Sequence, residues 1–303
     1  MGLLGTVVEA QRSMVQNNKT EKVFVVPLVL GYHFVLEAPF LIRQHLQIVG
    51  KEKYLDSTRD MGRSSRQLFR FVWKLFSQKT TITLSIGKPM DALGNFVDLE
   101  GRSIDARGKE VHIADYFKPL STKFGVDTGG GANLPTNQDL QREAEYTKML
   151  AARIVDRFYK DNFVLSSQIV AFTAFNIFKN HNEKLDLYNL LRLPADNYVF
   201  PIEDFTAAID DMKTALEELA EKGRLKLSNE ALLPAKELIA DGIRNLGIYH
   251  ANAPLMFNKS GDLESDDFST LFYYHNHLEN YGLTKRVKWD KFKMETIDVV
   301  KIV

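Results

Sequence analysis

A chain of 303 residues, 45% hydrophobic and 26% charged, has the balance of a globular protein that can bury a sizeable core in one large domain or two ordinary ones. Lysine plus arginine equals aspartate plus glutamate at 39 each, which removes any global electrostatic argument for a nucleic-acid partner and leaves charge to be read locally. With no cysteine, disulfides, thiolate chemistry and the commonest zinc ligand are excluded, a composition that suits a reducing compartment.

The opening "GLLGTVVEAQRSMVQ" places Leu3, Leu4, Val7, Val8, Gln11, Met14 and Val15 at helical spacing and predicts a short amphipathic helix. No basic leader or small-residue cleavage site is visible, so no signal peptide is expected. After a polar turn, "VFVVPLVLGY" (Val23 to Tyr32) predicts a buried β-strand; it is well short of the roughly 20 apolar residues a bilayer span needs. The expectation is a chain that is soluble or attached to a membrane surface without crossing it. Pro27 in the middle of that strand removes a ladder donor and belongs at an edge or bulge.

"RDMGRSSRQLFRFVWKLFSQK" predicts a helix with two faces. Arg59, Arg63, Arg66, Arg70 and Lys74 form one stripe, and large apolar residues such as Leu68, Phe71, Leu75 and Phe76 lie opposite. "TTITLSIGKPM" predicts a second strand, and the Gly- and Asp-rich "DALGNFVDLEGRSIDARGKEVHIADYF" predicts hairpins or an excursion from a sheet, with no repeat period expected anywhere. "STKFGVDTGGGANLPTNQ" is the best boundary in the chain, so the division expected is 1–125, a linker at 126–137, and 138–303. Beyond it, "DLQREAEYTKMLAARIVDRFYKD", "SSQIVAFTAFNIFKN" and "PIEDFTAAIDDMKTALEELAEKG" predict helices. "RLKLS" and "APLMFNKSGDLES" predict short strands, and "DDFSTLFYYHNHLENYGL" a further helix.

Three stretches together resemble the glycerol-3-phosphate acyltransferase family, in its branch of bacterial membrane-associated phospholipid-synthesis enzymes. "VFVVPLVLGYHFVLE" is similar to a Pro-bearing hydrophobic strand followed by Gly-Tyr and then Glu. "GRSSRQLFRFVWKLFSQKTTITLSIGKPM" is similar to a basic helix leading to a strand that ends Gly-x-Pro, and "FSTLFYYHNHL" to a Tyr-Tyr-x-Asn helix near the C-terminus. The order agrees and the likeness covers most of the chain, weakly between Asp91 and Gly131. It implies an α/β fold: a partial acyltransferase-type mixed sheet followed by a mainly helical C-terminal region.

The resemblance also implies a reaction, transfer of a fatty acyl group from an acyl thioester (acyl-CoA or acyl carrier protein) to a hydroxyl of glycerol 3-phosphate or its lyso-ester, with no further cofactor. The family carries its His-x-x-x-x-Asp base and its Gly-Thr-Arg-Ser-like phosphate block upstream of the Pro-bearing strand. Only some twenty residues precede that strand here, so the chain resembles the family's C-terminal portion, and the expectation is that it is inactive alone. Val26 and Pro27 are implied to shape the acyl-donor surface, with core packing as the alternative. Tyr32 and Glu37 are implied to orient an acceptor hydroxyl, with a plain surface turn as the alternative. The basic stripe from Arg59 to Lys74 is expected to meet an anionic membrane surface or substrate phosphates, or to be the water-facing side of an ordinary helix. The location implied is the cytoplasmic face of the inner membrane, peripherally bound, with the missing upstream segment as a possible partner.

Several look-alikes carry less weight. His181 and Asp186 in "HNEKLD" have the family's catalytic spacing in the wrong chain order, and "EGRSIDARGK" echoes a phosphate block among turn residues. His275 and His277 diverge on a helix and lack a ligand set. "DTGGGANLP" lacks the strand before and the Gly-Lys-Ser/Thr after that a phosphate cradle needs. The rival classes are a non-catalytic lipid- or acyl-donor-binding subunit and a winged-helix-like regulatory module built on "FTAAIDDMKTALEELAEKGRLKLS", whose acidic helices repel nucleic acid.

Overall fold

The computed structural model describes residues 2–50, 81–118, 136–248, 250 and 252–296. The basic-stripe helix with Arg59, Arg63, Arg66, Arg70 and Lys74, and the glycine-rich stretch at 126–135, lie outside the described residues. The architecture is mixed, helices with small sheets. Packing divides the chain into two compact units, residues 1–29 with 84–162 and residues 30–83 with 163–303.

The first unit begins with α1 (Leu3–Gln16), whose apolar spacing is read as expected and whose buried face holds Val8, Gln11 and Arg12. The long helix α4 (Asn137–Asp161) starts where Thr136 caps it: Thr136 Oγ1 accepts the Asp139 N–H (3.2 Å), and an Asp139 carboxylate oxygen accepts the Thr136 N–H (3.1 Å). Val8, Leu150, Ile113 and Phe117, the last two in and beside the short α3 (Ala114–Phe117), form the unit's core. Arg12 reaches Glu143 across α1 and α4 at 3.3 Å with both side chains nearly buried. This is why α4, expected to open the C-terminal domain, packs with the N-terminal helix instead. The division by packing is therefore not the linear one expected at 126–137.

Three antiparallel two-residue strands, β3 (Phe96–Val97), β4 (Ser103–Ile104) and β5 (Glu110–Val111), form a meander in the same unit. Hairpins were expected there; a repeat was not, and the structure corrects that. Asp91, Asp98 and Asp105 each open an Asp-x-x-Gly turn, one every seven residues. In each, one carboxylate oxygen accepts the N–H groups two and four residues on, at 2.8–3.1 Å. The glycine three residues after the aspartate sits at φ +83°, +77° and +79°, the left-handed conformation that glycine adopts without steric cost. The period was hidden because only the aspartate and glycine recur, while the strand residues between them vary.

A two-stranded sheet joins β1 (Leu28–Tyr32) to β2 (Ile82–Ile86), and the division between units passes through it. β1 is shorter than the Val23–Tyr32 strand expected; upstream of Pro27, which has no N–H to offer a ladder, Val25 makes only an isolated bridge to Met90. The expectation of a buried strand is corrected too. Alternation puts Pro27, Gly31, Ser85 and Gly87 on a buried face of small side chains. In the first unit the opposite face leaves Phe24, Val26, Leu28, Leu84 and Ile86 exposed, and in the second it leaves Leu30, Tyr32 and Ile82 exposed.

The second unit wraps α5 (Ser166–His181), whose residues from Ser166 to Phe178 are all buried. A helix apolar on every side is a core helix, and its neighbours supply the amphipathic faces. Those are α7 (Ile202–Glu221), α8 (Ala235–Asn245) and α9 (Phe268–His275), with α2 (Ala38–Ile48) and the short α6 (Leu187–Leu190) completing the set. Gly242 lets α8 approach α5 closely: a Cβ there would stand 2.5 Å from Val170 Cγ2 and 2.9 Å from the Ser166 carbonyl oxygen. β6 (Phe163–Val164) pairs in parallel with β8 (Lys226–Leu227). A four-stranded sheet has the order β11 (Glu295–Thr296), β7 (Tyr198–Phe200), β10 (Leu263–Glu264), β9 (Met256–Phe257).

Candidate functional site

The loop that leaves β1, "GYHFVLE" from Gly31 to Glu37, lies within the second unit and is pinned by that unit's helices. Gly31 is required by a close approach: a Cβ there would fall 2.3 Å from Thr83 Oγ1. Two residues on, His33 turns inward and is 1% exposed, with Nδ1 2.9 Å from the hydroxyl of Ser167, itself 1% exposed, in the first turn of α5. Next to it the Ser166 hydroxyl donates to Asp241 Oδ2 at 2.6 Å. Burial holds His33 below the ordinary histidine value, against the upward pull of the Glu230 and Asp241 carboxylates. The pair has the spacing of a serine–histidine dyad, yet the carboxylate serves Ser166 and both partners are sealed from solvent. What it does here is tie the end of β1 to the start of the core helix.

Tyr274 is the second anchor. Its hydroxyl accepts the Val35 N–H at 3.0 Å and lies 2.7 Å from His250 Nε2. With an N–H already donating to the oxygen, the natural arrangement is for the phenol to donate to His250 Nε2. Burial raises the Tyr274 phenol and keeps it protonated, and burial also lowers His250, so this is a neutral pair. Beside it, Tyr273 is raised first by burial and then by the proximity of Tyr32 and Glu37. The Gly-Tyr…Glu block and the Tyr-Tyr block, more than two hundred residues apart in sequence, therefore meet in space. Tyr32 and Glu37 remain exposed at the rim of this junction, where a hydroxyl and a carboxylate can meet a polar ligand.

The structure separates the residues implied for the acyl-donor surface. Val26 is half exposed on the outer face of its strand, whereas Pro27 is buried, its carbonyl accepting the Gly87 N–H at 2.8 Å. The two side chains belong to opposite faces, so Pro27 sets the strand's geometry and Val26 alone is available for contact. Val26 and Pro27 belong to the first unit, Tyr32 and Glu37 to the second.

The look-alikes resolve locally. His181 ends α5 with Nδ1 on the Ile177 carbonyl oxygen (3.0 Å), and Asp186 caps α6 by accepting the Asn189 N–H (2.8 Å); both are exposed. "EGRSIDARGK" holds the end of the turn that Asp98 opens, strand β4 and the whole of the turn that Asp105 opens. His275 Nδ1 contacts the Phe272 carbonyl oxygen (2.9 Å) and Nε2 contacts Glu279 (2.7 Å), with the ring stacked on Phe172 and Phe272. Among the described residues no group of three metal-ligating side chains is placed to hold an ion. Nor is any helix among them long and apolar enough to cross a membrane.

Sequence reasoning did not single out His33, Ser167, His250 or Asp241. The signal was present in "SSQ", polar residues at the head of an otherwise apolar helix, and in a histidine inside a run of apolar residues. Comparison with protein-family models, with curated proteins and with solved structures finds no match for this chain.

Proposed function

We propose that the chain is the C-terminal part of an O-acyltransferase that moves a fatty acyl group from an acyl thioester to glycerol 3-phosphate or lysophosphatidate. One observation carries the reading. Two of the three stretches that resemble the family, Gly31 to Glu37 and Tyr273–Tyr274, are hydrogen-bonded to one another through Val35 N–H and the Tyr274 hydroxyl. Residues acting on one substrate have to converge in this way, and unrelated coincidences of sequence have no reason to.

In this reading Tyr32 and Glu37 face the acceptor and the apolar outer side of β1 around Val26 lies toward the fatty chain. The base that deprotonates the acceptor hydroxyl comes from an upstream His-x-x-x-x-Asp pair. His33 is too enclosed for that role, and His181 with Asp186 is committed to capping two helix ends. The basic stripe of Arg59, Arg63, Arg66, Arg70 and Lys74 gives the protein an electrostatic hold on anionic lipid at the inner face of the membrane. That hold should weaken sharply at high salt.

The test is acyl transfer from radiolabelled acyl-CoA and from acyl carrier protein to glycerol 3-phosphate and to lysophosphatidate. The chain is compared with a version extended upstream in frame. The expected result is activity in the extended chain only, reduced by Tyr32→Phe and Glu37→Gln. Transfer by the unextended chain, or none by an extended chain that carries both upstream blocks, overturns the reading.

A further inference from the structure

Side chains pin the loop from Gly31 to Glu37 on either side of Phe34, and both pins lead to a histidine. His33 itself turns inward to Ser167, and the Val35 N–H reaches His250 through the Tyr274 hydroxyl. All of these residues lie in the second unit. Tyr32 and Glu37, which the loop presents to solvent, flank the pinned positions.

Each pin suits a neutral histidine and conflicts with a charged one. The Tyr274 oxygen accepts from Val35, and the phenol hydrogen has His250 Nε2 as its acceptor at 2.7 Å. A protonated imidazole donates from both nitrogens and accepts at neither. Its Nε2–H would meet an oxygen that a backbone N–H already uses, and the phenol hydrogen would lose its acceptor. Asp267 is the carboxylate facing His250, and both its oxygens are committed to capping α9, accepting from Ser269 and Thr270 at 2.6–3.0 Å.

At the other pin the His33 ring is 1% exposed and its contact is the neutral Ser167 hydroxyl. The carboxylates that face it, Glu230 and Asp241, favour a charge but do not outweigh burial, and Asp241 already accepts from Ser166 at 2.6 Å. Lifting the loop relieves both conflicts. It carries His33 into water and frees the Tyr274 oxygen to accept from His250.

We propose that His33 and His250 form an acid-sensitive latch: while both are neutral the loop is held with Tyr32 and Glu37 at its rim, and protonation releases it. The latch is a property of the second unit's own residues. The acyltransferase reading bears only on what it regulates, namely the side of the site that faces the acceptor.

From about pH 7.5 to about pH 5.5 an imidazole in water passes from about one-tenth to about nine-tenths protonated, so each histidine that titrates only in the open state favours opening by about tenfold. The test is hydrogen exchange at single-amide resolution on the chain itself, without substrate, so its outcome does not depend on whether the acyltransferase reading holds. Rates are expressed as protection factors, which remove the intrinsic pH dependence of exchange. The Val35 amide reports the latch and the amides of α5 report opening of the whole unit.

The expected result is that Val35 is less protected than α5 at both pH values, and that its protection falls by at least about tenfold, and up to about a hundredfold, over that range. In a His33→Gln, His250→Gln double variant the fall should disappear, because glutamine stays neutral and can replace either contact. Val35 protection that is the same at both pH values overturns the proposal. So does Val35 protection equal to that of α5 throughout, since the loop would then open only when the unit unfolds. Both of these outcomes are read on the parent protein, without any substitution. A decline that persists unchanged in the double variant overturns the assignment to these two histidines.

Discussion

Replacing Tyr274 with phenylalanine isolates one atom. The ring keeps its volume, so no cavity opens, but the Val35 N–H loses its acceptor and His250 Nε2 loses its partner. An orphaned buried polar group costs about 1–3 kcal/mol. Two of them, one only partly buried, give a loss of about 2–4 kcal/mol. For a unit of this size each kcal/mol moves Tm by about 2–4 °C, so the expected drop is about 4–16 °C. Exchange of the Val35 amide should accelerate more than that of its neighbours. Tyr273→Phe is the control: the same change one residue earlier, with the Val35 and His250 contacts left intact, should stay within about 0.5 kcal/mol. Equal losses in the two variants, or a Tyr274→Phe protein as stable as the parent, would refute the claim that this hydroxyl pins the loop.

Other consequences can be checked on the same protein. His33, His250 and His275 are all held below the ordinary histidine value by burial, so the unfolded chain binds protons that the native protein refuses. Their contribution to stability is complete above about pH 6.5 and is lost as pH falls through the lowered values; His33→Gln should flatten part of that acid-side decline in urea titrations. Gly242→Ala should cost about 1–3 kcal/mol, since its Cβ would press on the backbone of α5 as well as on Val170. Arg12→Ala should cost about 3–5 kcal/mol by leaving Glu143 nearly buried without its cation, whereas Arg12→Met with Glu143→Leu should be close to neutral. A double-mutant cycle in guanidinium decides it.

The helices were the legible part of the fold, because apolar residues recurring every three or four positions report a buried face directly. α1, α4 and α7 follow their sequence spacing, whereas α5, buried at every position from Ser166 to Phe178, has no single apolar face to report. α2 and α8 were not read, since "APFLIRQHLQI" and "AKELIADGIRN" are short and lie among apolar and polar runs that blur the period. The strand at Val23–Tyr32 was recognised and given the wrong environment. A run rich in Val and Leu reads as buried on both faces, yet Pro27, Gly31 and Gly87 confine close packing to one side. Of the site, Tyr32 and the Tyr-Tyr pair could be named from sequence. That Val35 and Tyr274 touch could not, because the contact joins positions 239 residues apart.

The turns at Asp91, Asp98 and Asp105 bear on how the protein acquires its shape. Each closes with hydrogen bonds that span no more than four residues, so its formation waits on nothing distant in the chain. Hairpins of this kind form in about 1–10 μs, far ahead of pairings that must first close long loops. The meander can therefore be in place before α1 finds α4, giving the first unit a nucleus on which its two helices later condense.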